Sequence, residues 1–417
     1  MANHQIELLA AVIFALALLH TFTAKSFERL ARLNPKHAGL FHLLGEVEVV
    51  FGFWAFVLIA LMAVFASSSK AIAYVESRQY TEPLFVFVIM VVAASKPILI
   101  AVGSIIKTIA RLSPINTSLA QIWLSLAVIP LLGSFITEPA AMTIAALMLA
   151  PLAFNKSMPE WLKYVPLAVL FVNVSIGGTL TSYAAPPVLM VANEWQWDSA
   201  FMLNTFGWKA AIAVVINASL ASFILRKHIT SQEAYAKIPQ IKIPLTVILI
   251  HVAFLAGVVF FAHHPVIFFG LFLLFMGFTQ AYEQYQSPLL LKEGLLVGLF
   301  LAGLVILGGM QQWWLQPIVS SLKPLELFWG ATALTAITDN AAITYLGAQI
   351  QGLSDAAKYM LMAGAVTGGG LTIIANAPNP AGAALLKHQF SDGSIHAGTL
   401  LLAAIPPTLI AATLFLL

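Results

Sequence analysis

The chain is expected to form an all-α polytopic membrane protein: an inverted repeat of two halves, with about ten transmembrane helices, two re-entrant hairpins and two discontinuous helices. Three observations carry this expectation. Hydrophobic residues make up 60% of the chain and charged residues 9%, against roughly 25% charged in a soluble domain. Apolar runs of about 20 residues, the length that crosses a bilayer, recur from one end to the other. Two short segments in opposite halves are near copies, and each sets one carboxylate inside an apolar run: Thr137-Glu138-Pro139-Ala140-Ala141-Met142-Thr143 and Thr338-Asp339-Asn340-Ala341-Ala342-Ile343-Thr344. A charge in hydrocarbon costs several kcal/mol and persists only for a reason.

The first half is expected to cover 1–228. Its first run, 6–24, has no basic stretch ahead of it and reads as a retained helix, not a cleaved leader. Runs 40–66 and 84–110 follow as spans. The next, 118–154, is nearly twice one crossing and carries Glu138 near its middle. It reads as two half-helices meeting at a tip, with Pro139 in the first turn of the second, where its missing N–H is harmless. Run 164–192 is interrupted by Gly177-Gly178-Thr179-Leu180-Thr181-Ser182-Tyr183-Ala184-Ala185-Pro186-Pro187 and reads as a broken helix, which membranes tolerate only around buried or cavity-lining backbone. Run 207–225 closes the half.

A cytoplasmic linker is expected at 229–243 and the second half at 244–417. Its spans are 244–262, 265–281 and 294–315, the last ending in the aromatic belt Gln311-Gln312-Trp313-Trp314. A second hairpin is expected at about 318–352, its apolar run starting at 325, with Asp339 and Asn340 as caps at the tip. The second broken helix, 356–386, contains Gly368-Gly369-Gly370-Leu371-Thr372-Ile373-Ile374-Ala375-Asn376-Ala377-Pro378-Asn379-Pro380. Run 396–416 is the final span.

Basic residues write the orientation. Lys25, Arg29, Arg32 and Lys36, then Lys107 and Arg111, Lys156 and Lys163, Arg226, Lys227, Lys237 and Lys242, Lys292 and Lys387 fall in loops that one topology places together in the cytoplasm. Both termini are then periplasmic, in a multi-pass protein of a bacterial inner membrane. The first hairpin enters from the cytoplasm and the second from outside, so the halves are inverted and the tips meet near the midplane. Matched helix breakers around a midplane site point to a secondary transporter.

Other classes fall away. The net charge of +3 is loop charge, not a nucleic-acid surface. There is no cysteine, hence no disulfide or thiolate metal site. No HExxH, P-loop, GxSxG or Rossmann pattern occurs in a usable context, so the chain reads as neither an ATPase nor another enzyme, with no cofactor besides transported Na⁺ and H⁺.

Glu138 and Asp339 are the first candidates for the chemistry. A carboxylate taken out of water resists ionisation, and an opposing cation restores it. Two such groups facing one cavity can exchange protons for a metal ion, the core of cation/proton antiport; the structural alternative is that each only caps a half-helix. Thr137 and Thr338 precede them and Asn340 follows the second. Thr181, Ser182, Thr372, Asn376 and Asn379 on the broken helices offer the hard, neutral oxygens that replace the water shell of a sodium ion; the alternative is a small-residue packing seam. Lys96, mid-helix in Ser95-Lys96-Pro97, is expected to pair with Glu138, as a gate or as a fixed ion pair. Glu46 and Glu48 lie near the start of the second span, as a cation access route or an interhelical pair. His251 reads as an interhelical hydrogen bonder.

These residues resemble the ion transporter superfamily of sodium/proton antiporters, arsenite permeases and sodium-coupled dicarboxylate carriers. Asp339-Asn340 and Gly369-Gly370 through Asn376 and Asn379 match its second-half pattern. Glu138-Pro139 stands where Asp-Asn or Asn-Thr is usual. Within the superfamily, Gly45-Glu46-Val47-Glu48-Val49-Val50-Phe51-Gly52, Thr137-Glu138-Pro139-Ala140, Thr338-Asp339-Asn340-Ala341 and Asn376-Ala377-Pro378-Asn379-Pro380 are similar to bacterial proteins described as sodium/proton antiporters. The resemblance implies a homodimer with a scaffold and a moving transport part. Sodium/proton exchange by alternating access is the expected activity. The second reading is a sodium-coupled symporter of a small anion such as a carboxylate, held by half-helix N-termini, although two acidic groups would repel it.

Overall fold

The computed structural model describes residues 3–155, 158–229 and 242–417, apart from the side chains of Asn3, Phe22, Ala24, Lys25, Glu28, Arg29, Val47 and Glu48. Lys156, Lys237 and all of the expected linker except Ile229, Lys242 and Ile243 lie outside the described residues. Among the described residues the chain is helical, with no strand.

The first half contains α1 (Asn3–Leu33), α2 (Ala38–Leu44), α3 (Val47–Phe65), α4 (Ser68–Glu76), α5 (Thr81–Ala93), α6 (Lys96–Leu112), α7 (Thr117–Ile136), α8 (Glu138–Ala153), α9 (Glu160–Gly177), α10 (Pro186–Ala192), α11 (Ser199–Met202) and α12 (Trp208–Leu225). The second contains α13 (Leu245–Phe260), α14 (Pro265–Ala281), α15 (Leu291–Gly308), α16 (Gln312–Ser321), α17 (Pro324–Ile337), α18 (Asn340–Ala348), α19 (Asp355–Gly368), α20 (Asn379–Leu386) and α21 (Ala397–Leu416).

Among the described residues six helices are long and apolar enough to cross a membrane, or up to eight if each of two bent pairs counts as one span. The sequence suggested ten crossings. The shortfall includes α13 and α14, with 16 and 17 residues, which at 1.5 Å per residue sit at the lower edge of a bilayer's thickness. Two expected spans are not straight. Run 84–110 splits into α5 and α6, bent by 64°, because Pro97 cannot continue a helix but suits the first turn of a new one. Run 40–66 breaks at Gly45–Glu46 between α2 and α3. Run 294–315 ends at Gly308, and Gln312-Trp313-Trp314 begin α16 instead of ending the span.

The helices sort into two packed groups. In one, α3 lies along α1 and α15, and α15 along α5, with α13 and α14 against α5. Glycines set the closeness: a Cβ on Gly303 would collide with the Phe51 backbone, and one on Gly52 with the Leu299 side chain. Close backbone approach through small residues is how helices associate without a hydrophobic drive. In the other group, α7, α8, α9, α12 and α21 pack together, and α17 lies along α19. Pro130 leaves the Leu126 carbonyl of α7 without its helical donor, and Asn173 of α9 supplies one at 2.8 Å. Within this group the short helices cross over: α10 packs on α18, and α20 packs on α8.

Gly303→Ala is expected to destabilise the fold by about 1–3 kcal/mol, since the collision is with backbone. Gly270→Ala, where nothing lies within 4 Å, should leave stability unchanged or raise it by up to about 1 kcal/mol. Thermal unfolding in detergent should show a drop of roughly 3 °C or more for the first and none for the second.

Candidate functional site

The first hairpin tip is one residue wide. α7 ends at Ile136 and α8 begins at Glu138, with Thr137 between them at φ 79° and ψ 151°. That conformation is strained for a residue with a β-branched side chain, costing about 1–3 kcal/mol. It turns the chain so sharply that Glu138 opens α8 with its side chain wholly buried, at 0% exposure. Pro139 follows in the first turn of that helix.

Glu138 does not cap the helix it begins. Its Oε2 accepts a 2.9 Å hydrogen bond from Asn376 Nδ2, across the crossing of α20 over α8. Its Oε1 has no hydrogen-bond partner among the described residues. Gly178 makes room for that oxygen, because a Cβ there would collide with Glu138 Oε1. Thr137 Oγ1 and the Oδ1 atoms of Asn376, Asn340 and Asn379 are likewise buried without partners among the described residues. Each such atom costs about 1–3 kcal/mol unless something satisfies it.

The second tip differs. Asp339 is the N-cap of α18, its Oδ1 accepting from the N–H groups of Ala341 at 2.8 Å and Ala342 at 3.3 Å. It lines a small cavity of about 30 Å³ together with Asn376, Ile374 and Phe300, so Asn376 connects the two carboxylates. Asn340, the first residue of α18, donates to Ser175 Oγ at 3.4 Å. Thr338 turns back onto its own helix, donating to Leu334 O.

The broken helices are tied to the hairpins by a recurring pair of contacts. On the first, a Cβ on Gly177 would stand 2.7 Å from Pro130 O, and Thr181 donates to Ser134 O at 2.6 Å. On the second, a Cβ on Gly368 would stand 2.5 Å from Thr332 O, and Thr372 donates to Ala336 O at 2.8 Å. The spacing is four residues along every element involved. The Thr181 and Thr372 hydroxyls thus spend their protons on positioning the tips. Asn379 donates to Gly369 O at 2.7 Å and Thr372 O at 2.9 Å, holding the second break open. Ser182 bonds Ser199.

Lys96 does not pair with Glu138. It opens α6 directly after the bend, and neither Glu138 oxygen meets it; the amide of Asn376 takes the place foreseen for a cation. Glu46 pairs with Lys292 of α15 at 2.8 Å, an interhelical bridge. The side chain of Glu48 lies outside the described residues. His251 is bonded to Val247 O and Gln286. Two contributors were overlooked. Ser134 donates to Gly177 O and receives Leu180 N, and Ser175 links Val366 O with Asn340. Ser134 and Thr335 stand three residues before the two tip threonines, a correspondence the repeat itself could have revealed.

Residues 5–417 match a protein family described as "Putative Na+/H+ antiporter", and the chain belongs to that family. No curated protein matches it. With several apolar helices, it is a multi-pass membrane protein of an antiporter family.

If the unpartnered oxygens form a cation site, Na⁺ should raise the melting temperature of the detergent-solubilised protein by mass action. Gly178→Ala places a methyl group against Glu138 Oε1 and is expected to weaken that Na⁺-dependent rise at least about tenfold in midpoint concentration, a loss of roughly 1.4 kcal/mol. An unchanged midpoint would remove Glu138 from the ligand set.

Proposed function

We propose that this member of the antiporter family exchanges Na⁺ for protons, with Glu138 as the group that holds either one. The observation that carries the reading is the Glu138 carboxyl itself: fully buried, one oxygen bonded only by a neutral amide and the other without a partner among the described residues. Thr137, which precedes it, and Asn376, which bonds it, carry oxygens in the same condition, and Asn340 at the second tip and Asn379 on the second broken helix carry others. Hard oxygen donors around one negative charge suit a small monovalent cation. In its absence the same carboxyl can carry a proton, and the two loads exclude each other.

The recurring glycine and threonine contacts support an inverted repeat, in which each broken helix is set against a hairpin of its own half and crosses to the other. The packing of α1, α3, α5, α13, α14 and α15 among themselves, with α15 meeting α18 and α5 meeting α8 at the boundary, supports a scaffold against which the second group moves, opening the site to each side in turn. Loop charge supports both termini in the periplasm of a bacterial inner membrane. The homodimer remains what the resemblance implies.

A symporter of a small carboxylate is less well supported. The helix N-termini that would hold an anion are occupied or impaired: Asp339 already takes the N–H groups of α18, and Pro139 has none to give in α8.

The test uses purified protein in liposomes with an internal pH dye. Addition of Na⁺ is expected to dissipate an imposed pH gradient in wild type and not in Glu138→Gln, whose loss should exceed about 100-fold in rate. Asp339→Ala should impair exchange through the lost cap, worth about 1 kcal/mol of local stability. Entry of a labelled dicarboxylate with Na⁺, without proton movement, would replace this reading by the symporter.

A further inference from the structure

We propose that a groove between the second hairpin and α16 holds one acyl chain of a membrane phospholipid. The proposal goes beyond the antiport reading and does not depend on which ion is carried. The groove has a volume of about 320 Å³ and is walled chiefly by four elements, with Phe14 and Leu18 from α1, Leu315 and Ile318 from α16, Leu334 from α17 and Ile343 from α18. Two glutamines tie α16 to the loop after α18: Gln316 donates to Gln351 O and accepts from Gln351 N, each at 2.9 Å. α16 is thereby held beside the hairpin with none of its own residues buried.

The chemistry of the walls selects the occupant. Among the lining side chains only Thr338 and Trp314 carry polar atoms, and both are engaged: Thr338 Oγ1 donates to Leu334 O, and Trp314 Nε1 to Gln311 Oε1. A buried water needs several polar partners, so water gains little there. Hydrocarbon needs none, and it gives the lining side chains contacts on their open side. The protein is a multi-pass membrane protein. Ile318, Leu322 and Leu334, which line the groove, and Leu325 near its outer end are exposed to whatever surrounds the helices, and in a bilayer that is lipid.

The dimensions suit a single chain. Leu327, Gly330, Ala331, Leu334 and Thr338 form one stripe along and just past α17. At a helical rise of about 1.5 Å per residue the stripe runs about 16 Å, roughly half the hydrocarbon core of a bilayer and so the reach of one acyl chain. At its outer end the turn into α17 exposes Lys323 and Glu326, whose opposite charges complement the phosphate and the amine of a zwitterionic headgroup; Glu326 also accepts from Lys323 N at 2.8 Å. At its inner end the next gap, shared by Leu18, Thr338, Ala342 and Asp339, holds about 10 Å³, no more than a single water would fill. The acyl chain therefore stops at Thr338, against the second tip.

The experiment is native mass spectrometry of the purified full-length protein, equilibrated with phosphatidylethanolamine in mild detergent and then washed. One phospholipid is expected to stay on each wild-type chain. Gly330 lines the groove, and a Cβ there meets nothing within 4 Å. Gly330→Phe therefore fills the groove and is expected to lower the retained lipid at least about tenfold, while Gly330→Ala keeps it. A melting temperature at or above that of wild type shows that the phenylalanine variant has folded. If wild type keeps no lipid, or Gly330→Phe keeps as much as wild type, the proposal is overturned. A change of oligomeric state in Gly330→Phe with the lipid count unchanged assigns the groove to a second copy and overturns it too. Should Gly330→Phe not fold, wild type decides: phosphatidylethanolamines of graded chain length should be retained increasingly until the chain fills the groove and no further, and retention indifferent to chain length overturns the proposal. None of these outcomes bears on antiport, which the liposome assay reads separately.

Discussion

The burial of one carboxyl with a single neutral hydrogen bond is the constraint on which the rest of the structure depends. Glu138 is closed off from the solvent surface and meets no counter-charge among the described residues. Among the described residues its one hydrogen bond comes from Asn376, far along the chain. To bring that amide there, a helix must stop inside the protein, run in extended and 3₁₀ turns from Leu371 to Pro378, and start again as α20. Backbone freed in this way must be satisfied inside the protein. The Thr372 and Asn379 side chains do part of this work, and Thr181 with Ser134 does it on the other side.

The glycines then follow from geometry and not from flexibility. Gly177, Gly178, Gly368 and Gly369 each stand where a Cβ would meet a carbonyl, a carboxylate or an amide of the site. Their conformations lie at negative φ, open to any residue; it is space that excludes a side chain. The positive φ is found at Thr137 instead. Strain at the tip and absence of bulk opposite it are complementary means of setting one carboxyl oxygen in a narrow space against Gly178.

Much of this was legible in the sequence, for physical reasons. A carboxylate in an apolar run is costly enough to stand out, so both tips could be located to the residue. Gly-Gly and Asn-Pro runs in hydrophobic segments cannot be continuous helix, and the breaks fall in those runs. The rest depended on distant partners. That Asp339 caps its helix while Glu138 does not could not be read from two near-identical motifs, since the difference lies in Asn376 and Gly178. Lys96 stands out by charge in an apolar run, but its position is that of a helix start beside Pro97, which charge alone does not reveal. The ends of the apolar runs were read as single straight spans because hydropathy is blind to direction, and a 64° bend leaves it unchanged.

The bond from Asn376 to Glu138 spans 238 residues of sequence, and that separation has a meaning in time. At about 5–20 residues per second, a ribosome needs some 10–50 s to reach the second residue after making the first. Throughout that interval the first hairpin exists without the amide, the α20 contact or the second break that enclose it in the finished protein. The nascent first half is therefore a different membrane protein from the one it becomes, with its carboxyl either still hydrated or neutralised while it waits. Chain order means that the surroundings of the first hairpin are completed only when the C-terminal half arrives.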